Sequence, residues 1–478
     1  MPTPPPPVKN TLCSFSKFKT CSNKTSPKKL LIKIISNFKN FKIKSTIHLC
    51  KGHFIKNLIF LSFIVIFFIS CSTKQESHIS VLDLENQNAY TMPKILSNQK
   101  IAGGELLEKR FSVFSYTSNK DDIKDAFWAF DIYTPKKNKT YYGSNLRPIP
   151  PSWFEEQEKN ANKDEFLKLS RLAISVTNTA IRNFPTNEPI FHNPNRAGEG
   201  YPFDYLQASN ISIAKPIFVS HLSLDRAWAM VKDDTVWGWV KINDIKFIDN
   251  QEAKKLQNSK FIILTKDKMP IYDTQNNFLF YGKIGALLPY YKQDDLNFIG
   301  EIKTISGIKK YKIPKAFSIK YPAELNDENI QKIASSLLGQ PYGWGGWGDL
   351  RDCSLFTKDF LGSFGIWLPR NSSAQSKIGT KIELEELSNK EKLNIIKEKG
   401  IPYTTLFYLN GHIMLYIGIK DDKVLALHDA WGIRTKDNGR ALIGQIAITP
   451  LDIGANLKNV DKKSLLLSKI KSMNIITK

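Results

Sequence analysis

Three side chains in the last third of the sequence could form a thiol-based catalytic site. Cys353 is followed by only two histidines, His412 and His428. A cysteine nucleophile needs one imidazole to accept its proton and a further polar group to fix the tautomer of that imidazole. Cys353 is also expected to begin a helix, where unpaired backbone N–H groups favour a thiolate and lower the thiol pKa. The alternative is a small buried cysteine with two structural histidines.

The rest of the composition offers no competing chemistry. The other cysteines, at positions 13, 21, 50 and 71, precede the region expected to fold, so no disulfide framework is predicted. No histidine pair has the spacing of helical metal ligands, and no cysteine pair remains, so we expect no metal. Phosphate-cradling glycine motifs are absent as well. No cofactor is predicted.

The basic charge is concentrated at the start of the chain. Residues 1–70 carry twelve lysines and no acidic residue, which leaves +11 of the net charge of +23 for the rest. This uneven distribution argues against nucleic-acid binding. The segment closes on an apolar run, Asn57–Ser70, and is predicted to be a basic leader and secretory signal. The true start is expected further along, on a non-standard codon, because no methionine lies between Met1 and Met92.

Cys71 follows this apolar run directly, after a small residue. The arrangement resembles the bacterial lipobox, which implies that Cys71 is lipidated and that residues 71–80 form a tether. The run is shorter than the roughly 20 residues that span a bilayer. The alternative is an uncleaved anchor helix. In either case the folded part is expected to leave the cytosol.

The middle of the chain indicates three modules. Residues 81–187 are expected to include a helix over 163–184, because apolar residues recur there at three- and four-residue spacing. Residues 188–255 and 256–320 instead contain short alternating runs separated by turn residues. These two segments therefore predict two small β-barrels in tandem.

The last segment, 321–478, has a different order of elements. An amphipathic helix over 327–338 is followed by a Gly/Trp turn over 341–348 and by the helix expected at Cys353. The turn is either a rigid connector or a pocket wall. Strand-like runs follow at 412–419, 424–428 and 443–448. Helices first and antiparallel strands afterwards indicate an α+β domain, so the predicted fold class of the chain is multidomain α+β.

Five segments in this order resemble the NlpC family of papain-like peptidases. They are Pro341–Gly346, Asp352–Ser354, Leu368–Gln375, Gly411–Gly418 and His428–Gly432. Upstream, Gly200–Gln207 and Ser223–Trp228 resemble the first SH3-like barrel of the subfamily that carries two. The resemblance implies an N-terminal clip domain over 81–187, SH3-like barrels over 188–255 and 256–320, and a papain-like catalytic domain over 321–478.

The resemblance also implies roles for individual residues. Cys353 would be the nucleophile, His412 the general base and then acid, and His428 the group that orients His412. Tyr342 would contact the oxyanion or the substrate amine, and Asp352 would pair with the free ammonium of a substrate that begins with L-Ala. The same resemblance places four more residues along the groove, with a structural role equally open for the last two: Ser354, Ser372, Arg370 and Trp228. Two positions depart from the family's pattern, Asn371 and Asp429.

The implied activity is peptidoglycan hydrolysis by a cysteine endopeptidase. It would cut stem peptides between γ-D-glutamate and a diamino acid such as meso-diaminopimelate, with a preference for a free N-terminal L-Ala. The protein is expected to be a periplasmic monomer, anchored through lipidated Cys71 on the outer membrane because Ser72 replaces Asp after that cysteine. Two alternatives stay open: a non-catalytic wall-binding lipoprotein, and a thiol acyltransferase or amidase in which an amine resolves the acyl-enzyme.

Overall fold

The computed structural model describes residues 79–476, except 86, 96–103, 120 and 137–138. The predicted leader, its apolar run and Cys71 lie outside the described residues. Within the described part of the chain, no helix is both long and apolar enough to cross a bilayer.

The N-terminal module is mostly helical. Besides short 3₁₀ turns, its described residues form one strand and three α-helices: β1 (Ile79–Val81), α1 (Gly104–Phe111), α2 (Asp122–Tyr133) and α3 (Pro151–Asn160). Pro151 is the first residue of α3, a position where a missing N–H costs no helical hydrogen bond. Phe127, Phe130 and Phe154 are buried in a core that this module shares with the first barrel. The N-terminal module therefore packs directly against the first barrel.

The first barrel is a single sheet of seven strands. These are β2 (Arg171–Ser175), β3 (Thr179–Arg182), β4 (Gln207–Ile211), β5 (Pro216–Leu222), β6 (Trp228–Lys232), β7 (Trp237–Lys241) and β8 (Ile245–Phe247). Their order in the sheet is β4-β3-β7-β6-β5-β2-β8. Ile181, Ile217 and Val219 are fully buried inside it. The sheet begins at Arg171, so the boundary predicted at residue 188 lies inside this barrel.

The helix predicted over 163–184 is wrong. Lys163–Glu165 forms only a short 3₁₀ turn, and the segment continues as β2 and β3. Leu167 and Ser170 have φ angles of 64° and 44°, which no α-helix accommodates. Short apolar runs are compatible with both helical and strand periods. Pairing of β2 with β5 and β8 decides between them here.

The second barrel follows a short helix. The helix is α4 (Asn250–Gln257), and the strands are β9 (Lys260–Leu264), β10 (Met269–Tyr272), β11 (Phe278–Gly282), β12 (Leu288–Gln293), β13 (Asn297–Thr304), β14 (Gly307–Pro314) and β15 (Ser318–Lys320). Five strands form one sheet in the order β14-β13-β12-β9-β15, and β10 pairs with β11. Asp249 and Glu252 form a reciprocal capping box that begins α4. The prediction of two barrels in tandem is confirmed.

The C-terminal domain packs helices on one sheet. Its elements are α5 (Asp327–Leu337), α6 (Cys353–Gly362), α7 (Ser372–Gln375), β16 (Thr380–Glu383), α8 (Asn389–Lys399), β17 (Thr405–Leu409), β18 (His412–Lys420), β19 (Lys423–Arg434), β20 (Arg440–Pro450), α9 (Leu466–Lys469) and β21 (Ser472–Ile475). The strand order is β1-β20-β19-β18-β17-β21-β16. Buried Phe356 and Phe360 of α6 meet Ile413 and Leu415 of β18 in the core. The helix-first α+β layout is confirmed.

Candidate active site

Cys353 is the first residue of α6 and is buried. Asp352 caps this helix, because its Oδ1 accepts a hydrogen bond from the Leu355 N–H at 2.9 Å. The Gly/Trp turn before it packs against the first barrel so closely that a Cβ on Gly345 would lie 2.2 Å from the Gln207 carbonyl oxygen. Gly345 also has a φ of 62°, which glycine adopts without steric cost. Glycine at this position therefore lets the turn place Cys353 beside the first barrel.

A chain of side chains leads from His412 through His428 to Thr449. His412 Nε2 lies 2.8 Å from His428 Nδ1, and His428 Nε2 lies 2.8 Å from Thr449 Oγ1. Donation from His412 Nε2 to His428 Nδ1 leaves a lone pair on His412 Nδ1. His428 then carries its hydrogen on Nε2 and donates it to Thr449. In this arrangement His412 can accept a thiol proton while its ring is held by His428.

The thiol lies next to the strand that carries the first imidazole. Cys353 Sγ is 4.0 Å from the carbonyl oxygen of Gly411, the residue directly before His412. Cys353 and His412 come from different elements, the start of α6 and the start of β18. Packing of α6 on the sheet is thus what brings nucleophile and base to one place.

Burial keeps these groups neutral in the free protein. It raises the pKa of Cys353 to about 12, an effect to which the Asp352 carboxylate adds. It lowers the pKa of His412 to about 4. Burial, followed by the neighbouring His412, also holds the pKa of His428 well below its usual value. The lowered thiol pKa expected at a helix start is therefore not found, because burial outweighs the position. A proton can move from Cys353 to His412 only as the reaction proceeds.

Asp352 is held by an arginine of the same domain. Arg370 Nη1 and Nη2 donate to its two carboxylate oxygens at 3.0 and 2.7 Å. Ser354 Oγ and the Gly345 N–H add one hydrogen bond to each oxygen, both at 3.1 Å. Burial alone would raise the pKa of Asp352, but Arg370, the Leu355 N–H and the Ser354 hydroxyl lower it. Asp352 was expected to hold a substrate ammonium, and the cation it holds in the structure is Arg370.

One cavity of about 550 Å³ opens at the nucleophile. Cys353, Ser354, Arg370 and Ser372 lie on its wall together with Asp352. Aromatic side chains from the N-terminal module, the first barrel and the Gly/Trp turn also line this cavity, among them Trp128, Tyr133, Tyr205, Trp237 and Trp344. The predicted groove residues of the C-terminal domain are thus gathered in one place.

A second cavity of about 730 Å³ has His412 on its wall. Its walls include Arg434 of β19 and Arg440 of β20. Tyr342, Trp344 and Gly411 line both cavities. The two cavities therefore border the same three residues, with Cys353 on the wall of the smaller cavity and His412 on the wall of the larger one.

Tyr342 is placed at this junction. Its N–H donates to the Gly444 carbonyl oxygen at 2.9 Å, and its ring centroid lies 5.8 Å from that of Trp431. Burial, and then the nearby Cys353, raises the pKa of Tyr342 well above its usual value. The phenol therefore stays protonated and can donate a hydrogen bond beside the thiol.

Trp228 does not reach this groove. It is 6% exposed and belongs to the core between the N-terminal module and the first barrel. Neither of the two cavities has it on a wall. Trp237, on the neighbouring strand β7, lines the smaller cavity instead. Both tryptophans occur in similar alternating runs, so only the packed barrel distinguishes them.

Comparison with known proteins assigns the modules. Residues 339–437 match the NlpC/P60 family. The C-terminal domain belongs to this family. The segments before it match the NLPC_P60 N-terminal stabilising domain over 60–166, an SH3 domain of SH3b1 type over 189–241 and an SH3 domain of SH3b2 type over 249–295. The chain thus contains an NlpC/P60 peptidase domain preceded by a stabilising domain and two SH3 domains.

Two individual proteins are similar to the chain at low identity. A solved structure described as a novel NlpC/P60 endopeptidase from Photobacterium damselae subsp. piscicida has a TM-score of 0.72 and 24% identity, over 84% of this chain and 99% of that one. This similarity shows the fold. A gamma-D-glutamyl-L-lysine dipeptidyl-peptidase of Bacillus cereus (strain ATCC 10987 / NRS 248) is 24% identical over 190 residues, which is 38% of this chain. The match spans 54%, about half, of the length of that curated relative.

Two residues that position the NlpC/P60 site were not predicted. Arg351 is fully buried and donates to both oxygens of Asp267 in the second barrel, at 2.8 and 3.0 Å, and to Asp359 at 2.8 Å. Because Arg351 directly precedes Asp352, its pairing with Asp267 holds this part of the chain against the second barrel. Thr449 lies on β20 next to His428. No local motif marks Thr449, because its role depends on how β19 and β20 pair.

Proposed function

We propose that the protein is a cysteine endopeptidase that cuts peptidoglycan stem peptides between γ-D-glutamate and a diamino acid. The observation that carries the proposal is a pair of cavities with shared wall residues, the smaller lined by Cys353 and the larger by His412, whose imidazole is hydrogen-bonded through His428 to Thr449. Such a site can hold a peptide on both sides of a scissile bond. The NlpC/P60 domain and the SH3 domains support a peptidoglycan substrate.

The proposed reaction begins when His412 Nδ1 takes the thiol proton as Cys353 Sγ attacks the γ-glutamyl carbonyl carbon. The oxyanion receives hydrogen bonds from the Tyr342 hydroxyl and from the unpaired N–H groups at the start of α6. Collapse breaks the C–N bond, and His412 returns the proton to the leaving amine of the diamino acid. Water, deprotonated by His412, then hydrolyses the thioester and regenerates the thiol.

The L-Ala-γ-D-Glu part is assigned to the aromatic cavity. Asp352 is already paired with Arg370, so a different group has to meet a free L-Ala ammonium. Trp128 and Tyr133 lie on the cavity wall with ring centroids 5.6 Å apart, and the exposed Asp125 lies beside them. Ring faces and one carboxylate suit an ammonium ion. This assignment supports a preference for peptides whose L-Ala is unblocked.

The diamino acid is assigned to the larger cavity, where the charges favour meso-diaminopimelate over lysine. Arg440 is half-buried, and its pKa is lowered by burial and then by the neighbouring Arg434. Arg434 donates to the Asn438 amide and Arg440 to main-chain carbonyls, and the nearby Glu199 carboxylate offsets the lowered pKa of Arg440 only as the third and smallest effect. Two adjacent guanidinium groups attract the side-chain carboxylate of diaminopimelate and repel a lone ammonium.

The activity is tested with a purified form that begins at Ser72. L-Ala-γ-D-Glu-meso-diaminopimelate, its N-acetylated form and whole sacculi are incubated with the enzyme, and products are read by mass spectrometry. We expect release of L-Ala-D-Glu, its loss in Cys353→Ala, and its retention in Ser373→Ala, which changes an exposed serine outside the cavity. No product from a folded, reduced enzyme would favour a wall-binding protein, and ligated products would favour an acyltransferase.

The specificity of the two cavities is tested with matched peptides. We expect kcat/KM to fall at least tenfold on N-acetylation and at least tenfold when L-Lys replaces meso-diaminopimelate. Arg440→Gln should reduce the preference for meso-diaminopimelate over L-Lys. Lys423→Gln, at the end of β19 away from Arg434, should leave that preference unchanged. Equal rates on both peptides would overturn the assignment of the larger cavity.

The protein is further proposed to be a periplasmic lipoprotein held at the outer membrane through Cys71. The apolar run that ends directly before this cysteine supports the proposal. Labelling of cells with a fatty-acid analogue should mark the wild-type chain and not Cys71→Ser. Membrane fractionation should then find the substituted chain released. An unlabelled wild-type chain would contradict lipidation.

A further inference from the structure

One buried carboxylate of the second barrel contacts the C-terminal domain at two places. Asp267 lies between β9 and β10, and its side chain is fully buried. Its Oδ2 accepts hydrogen bonds from Arg351 Nη1 at 3.0 Å and from Gln340 Nε2 at 3.2 Å, and its Oδ1 accepts one from Arg351 Nη2 at 2.8 Å. Gln340 and Arg351 are the two ends of the segment 340–351, which contains Tyr342 and the Gly/Trp turn. Asp267 therefore holds both ends of this segment.

The first end of the segment leads directly to Tyr342. The Gln340 carbonyl oxygen accepts a hydrogen bond from the Ile446 N–H at 2.9 Å, and the Tyr342 N–H donates to the Gly444 carbonyl oxygen at 2.9 Å. Residues 340–342 therefore run alongside β20, and the contact with Asp267 fixes the point where this run begins. Because Tyr342 is two residues further on, a shift of Gln340 would also shift the Tyr342 hydroxyl.

The second end leads in the same way to Cys353. The Arg351 guanidinium makes five hydrogen bonds, as many as it has N–H groups. The acceptors are the two oxygens of Asp267, the Gln340 amide oxygen, the Ile284 carbonyl oxygen and the Asp359 carboxylate. The Arg351 carbonyl oxygen also accepts from the Gly343 N–H at 2.6 Å. Arg351 is thus fixed both to the second barrel and to the residue after Tyr342, and Cys353 follows it by two residues.

Both oxygens of Asp267 are needed as acceptors. The Ile284 N–H donates to Oδ1 at 2.7 Å, so each oxygen accepts from two donors. Burial alone would raise the pKa of Asp267, but the paired Arg351 lowers it, and the group stays a carboxylate. An asparagine has one acceptor oxygen and one NH₂ group. In either orientation its NH₂ group would face two donors, so Asp267→Asn breaks one of the two sets of contacts without changing the size of the side chain.

We propose that Asp267 is a positioning residue for the reaction, because it fixes the Tyr342 hydroxyl relative to the Cys353 thiol through Gln340 and Arg351. This inference rests on the proposed function, in which Tyr342 donates to the oxyanion that forms when Cys353 attacks. The attacked carbonyl group has to fit between these two groups, and a misplacement of about 1 Å costs about a hundredfold in rate.

The second barrel would act on the rate without touching the substrate. Among the described residues that line the two cavities, none belongs to this barrel. Substrate binding should therefore be insensitive to Asp267, whereas the chemical step should depend on it. A residue that only joined two modules would change neither kcat nor KM of the folded enzyme.

The first test measures kcat and KM separately on L-Ala-γ-D-Glu-meso-diaminopimelate, with the form that begins at Ser72. We expect Asp267→Asn to lower kcat about 10–100-fold and to change KM less than about twofold. The matched control is Asp273→Asn in the same barrel, whose carboxylate accepts hydrogen bonds from the Gln275 and Asn277 N–H groups between β10 and β11. This control should keep the kcat of the wild type. A raised KM with an unchanged kcat in folded Asp267→Asn would contradict the proposal.

A double-mutant cycle separates positioning from a general loss of stability. Gln340→Met should lower kcat in the wild-type background and have no further effect in Tyr342→Phe, because the hydroxyl that Gln340 positions is then missing. Equal factors in the two backgrounds would show that Gln340 supports the fold and does not position Tyr342.

The second test needs no substrate. In the form that begins at Ser72, Cys353 is the single cysteine, so mass spectrometry of the intact protein measures its alkylation by iodoacetamide. Burial raises the pKa of this thiol to about 12. A loosened start of α6 would expose the thiol and bring its pKa back towards the ordinary value. At mildly alkaline pH, Asp267→Asn should therefore be alkylated about three- to tenfold faster than the wild type, and Asp273→Asn at the wild-type rate.

The two tests distinguish the two proposals. If the wild type releases no product and Asp267→Asn is alkylated faster, the proposed function is wrong and the positioning of Cys353 by Asp267 is supported. Equal alkylation rates in all three folded proteins would overturn the positioning role, whatever the peptidase assay shows.

Discussion

The pair formed by Asp352 and Arg370 offers a direct test of how the groove is built. The resemblance to papain-like peptidases predicts that Asp352 binds the ammonium group of the substrate, whereas in the structure Asp352 forms an ion pair with Arg370. The test is a double-mutant cycle with Asp352→Asn, Arg370→Gln and the combined variant. Asn can still cap α6 through its side-chain oxygen, so the first substitution removes the charge and keeps the cap.

The magnitude follows from burial and hydrogen bonding. The side chains of Arg370 and Asp352 are 6% and 12% exposed, and two charge-assisted hydrogen bonds join them. Removing one partner of a buried pair leaves an unpaired charge, which costs about 3–5 kcal/mol. Removing both charges avoids that cost. The combined variant should therefore lose less than the sum of the single variants, with a coupling energy of about 2–3 kcal/mol.

Urea unfolding of the four proteins measures the stability cycle. In parallel, kcat/KM of each folded variant is measured on peptides with a free and with an acetylated L-Ala. We expect the preference for the free amine to persist in Asp352→Asn. The reasoning is refuted if the two substitutions are additive in stability and Asp352→Asn alone erases that preference, because Asp352 would then act on the substrate.

Four further outcomes follow from the burial and the hydrogen bonds of the site. Because the pKa of His412 is lowered to about 4, kcat/KM should stay flat through pH 6.5 and fall only near pH 4; an acid limb near 6.5 would contradict this. Neutral His412 contributes its full share of stability above pH 6.5, and this contribution is lost as the pH falls from 6.5 towards 4. The Tm should therefore decline over that pH range, and it should decline less in His412→Gln. Burial, and then Asp352, raises the pKa of Asp429, whose carboxylate oxygens have no hydrogen-bond partner. In the unfolded chain an aspartate has a pKa of about 3.9. Between that value and the folded pKa, the free energy of unfolding should therefore fall by about 1.4 kcal/mol per pH unit as the pH rises. Urea titrations at several pH values should show Asp429→Asn gaining stability over wild type as the pH rises, and parallel curves would refute it. Thr449→Val removes the acceptor for the His428 Nε2–H and should lower kcat about tenfold with little change in KM in steady-state assays. The control is Thr404→Val, at a buried threonine whose hydroxyl has no hydrogen-bond partner, and it should leave kcat and KM unchanged.

The sequence by itself determined the domain order and the main chemical groups. Alternating strand runs predict barrels, and a helix start followed by strands predicts the α+β domain, because these periods are local properties of the chain. Cys353, His412 and His428 could be identified because the other cysteines and histidines lie outside the C-terminal segment. Tyr342, Ser354 and Ser372 were found through motif positions.

The tertiary structure decided what each of these groups contacts. Whether residues 171–182 form strands depends on pairing with β5, β8, β4 and β7, which are distant in the chain. Trp228 and Trp237 have similar sequence surroundings and are both buried, and packing alone places Trp237 on the wall of the smaller cavity. The same holds for Thr449, whose contact with His428 needs two paired strands.

Charge is the property that the sequence determined least. Asp352 and Arg370 were both expected along the groove, but their pairing requires the start of α6 and the loop before α7 to meet. The pairing of Arg351 with Asp267 of the second barrel likewise joins residues far apart in the chain, so no window of sequence contains it. The direction in which the pKa of Cys353 shifts depends on how deeply packing buries the thiol. Local sequence specifies which groups are present, and only long-range packing determines their solvation and their partners.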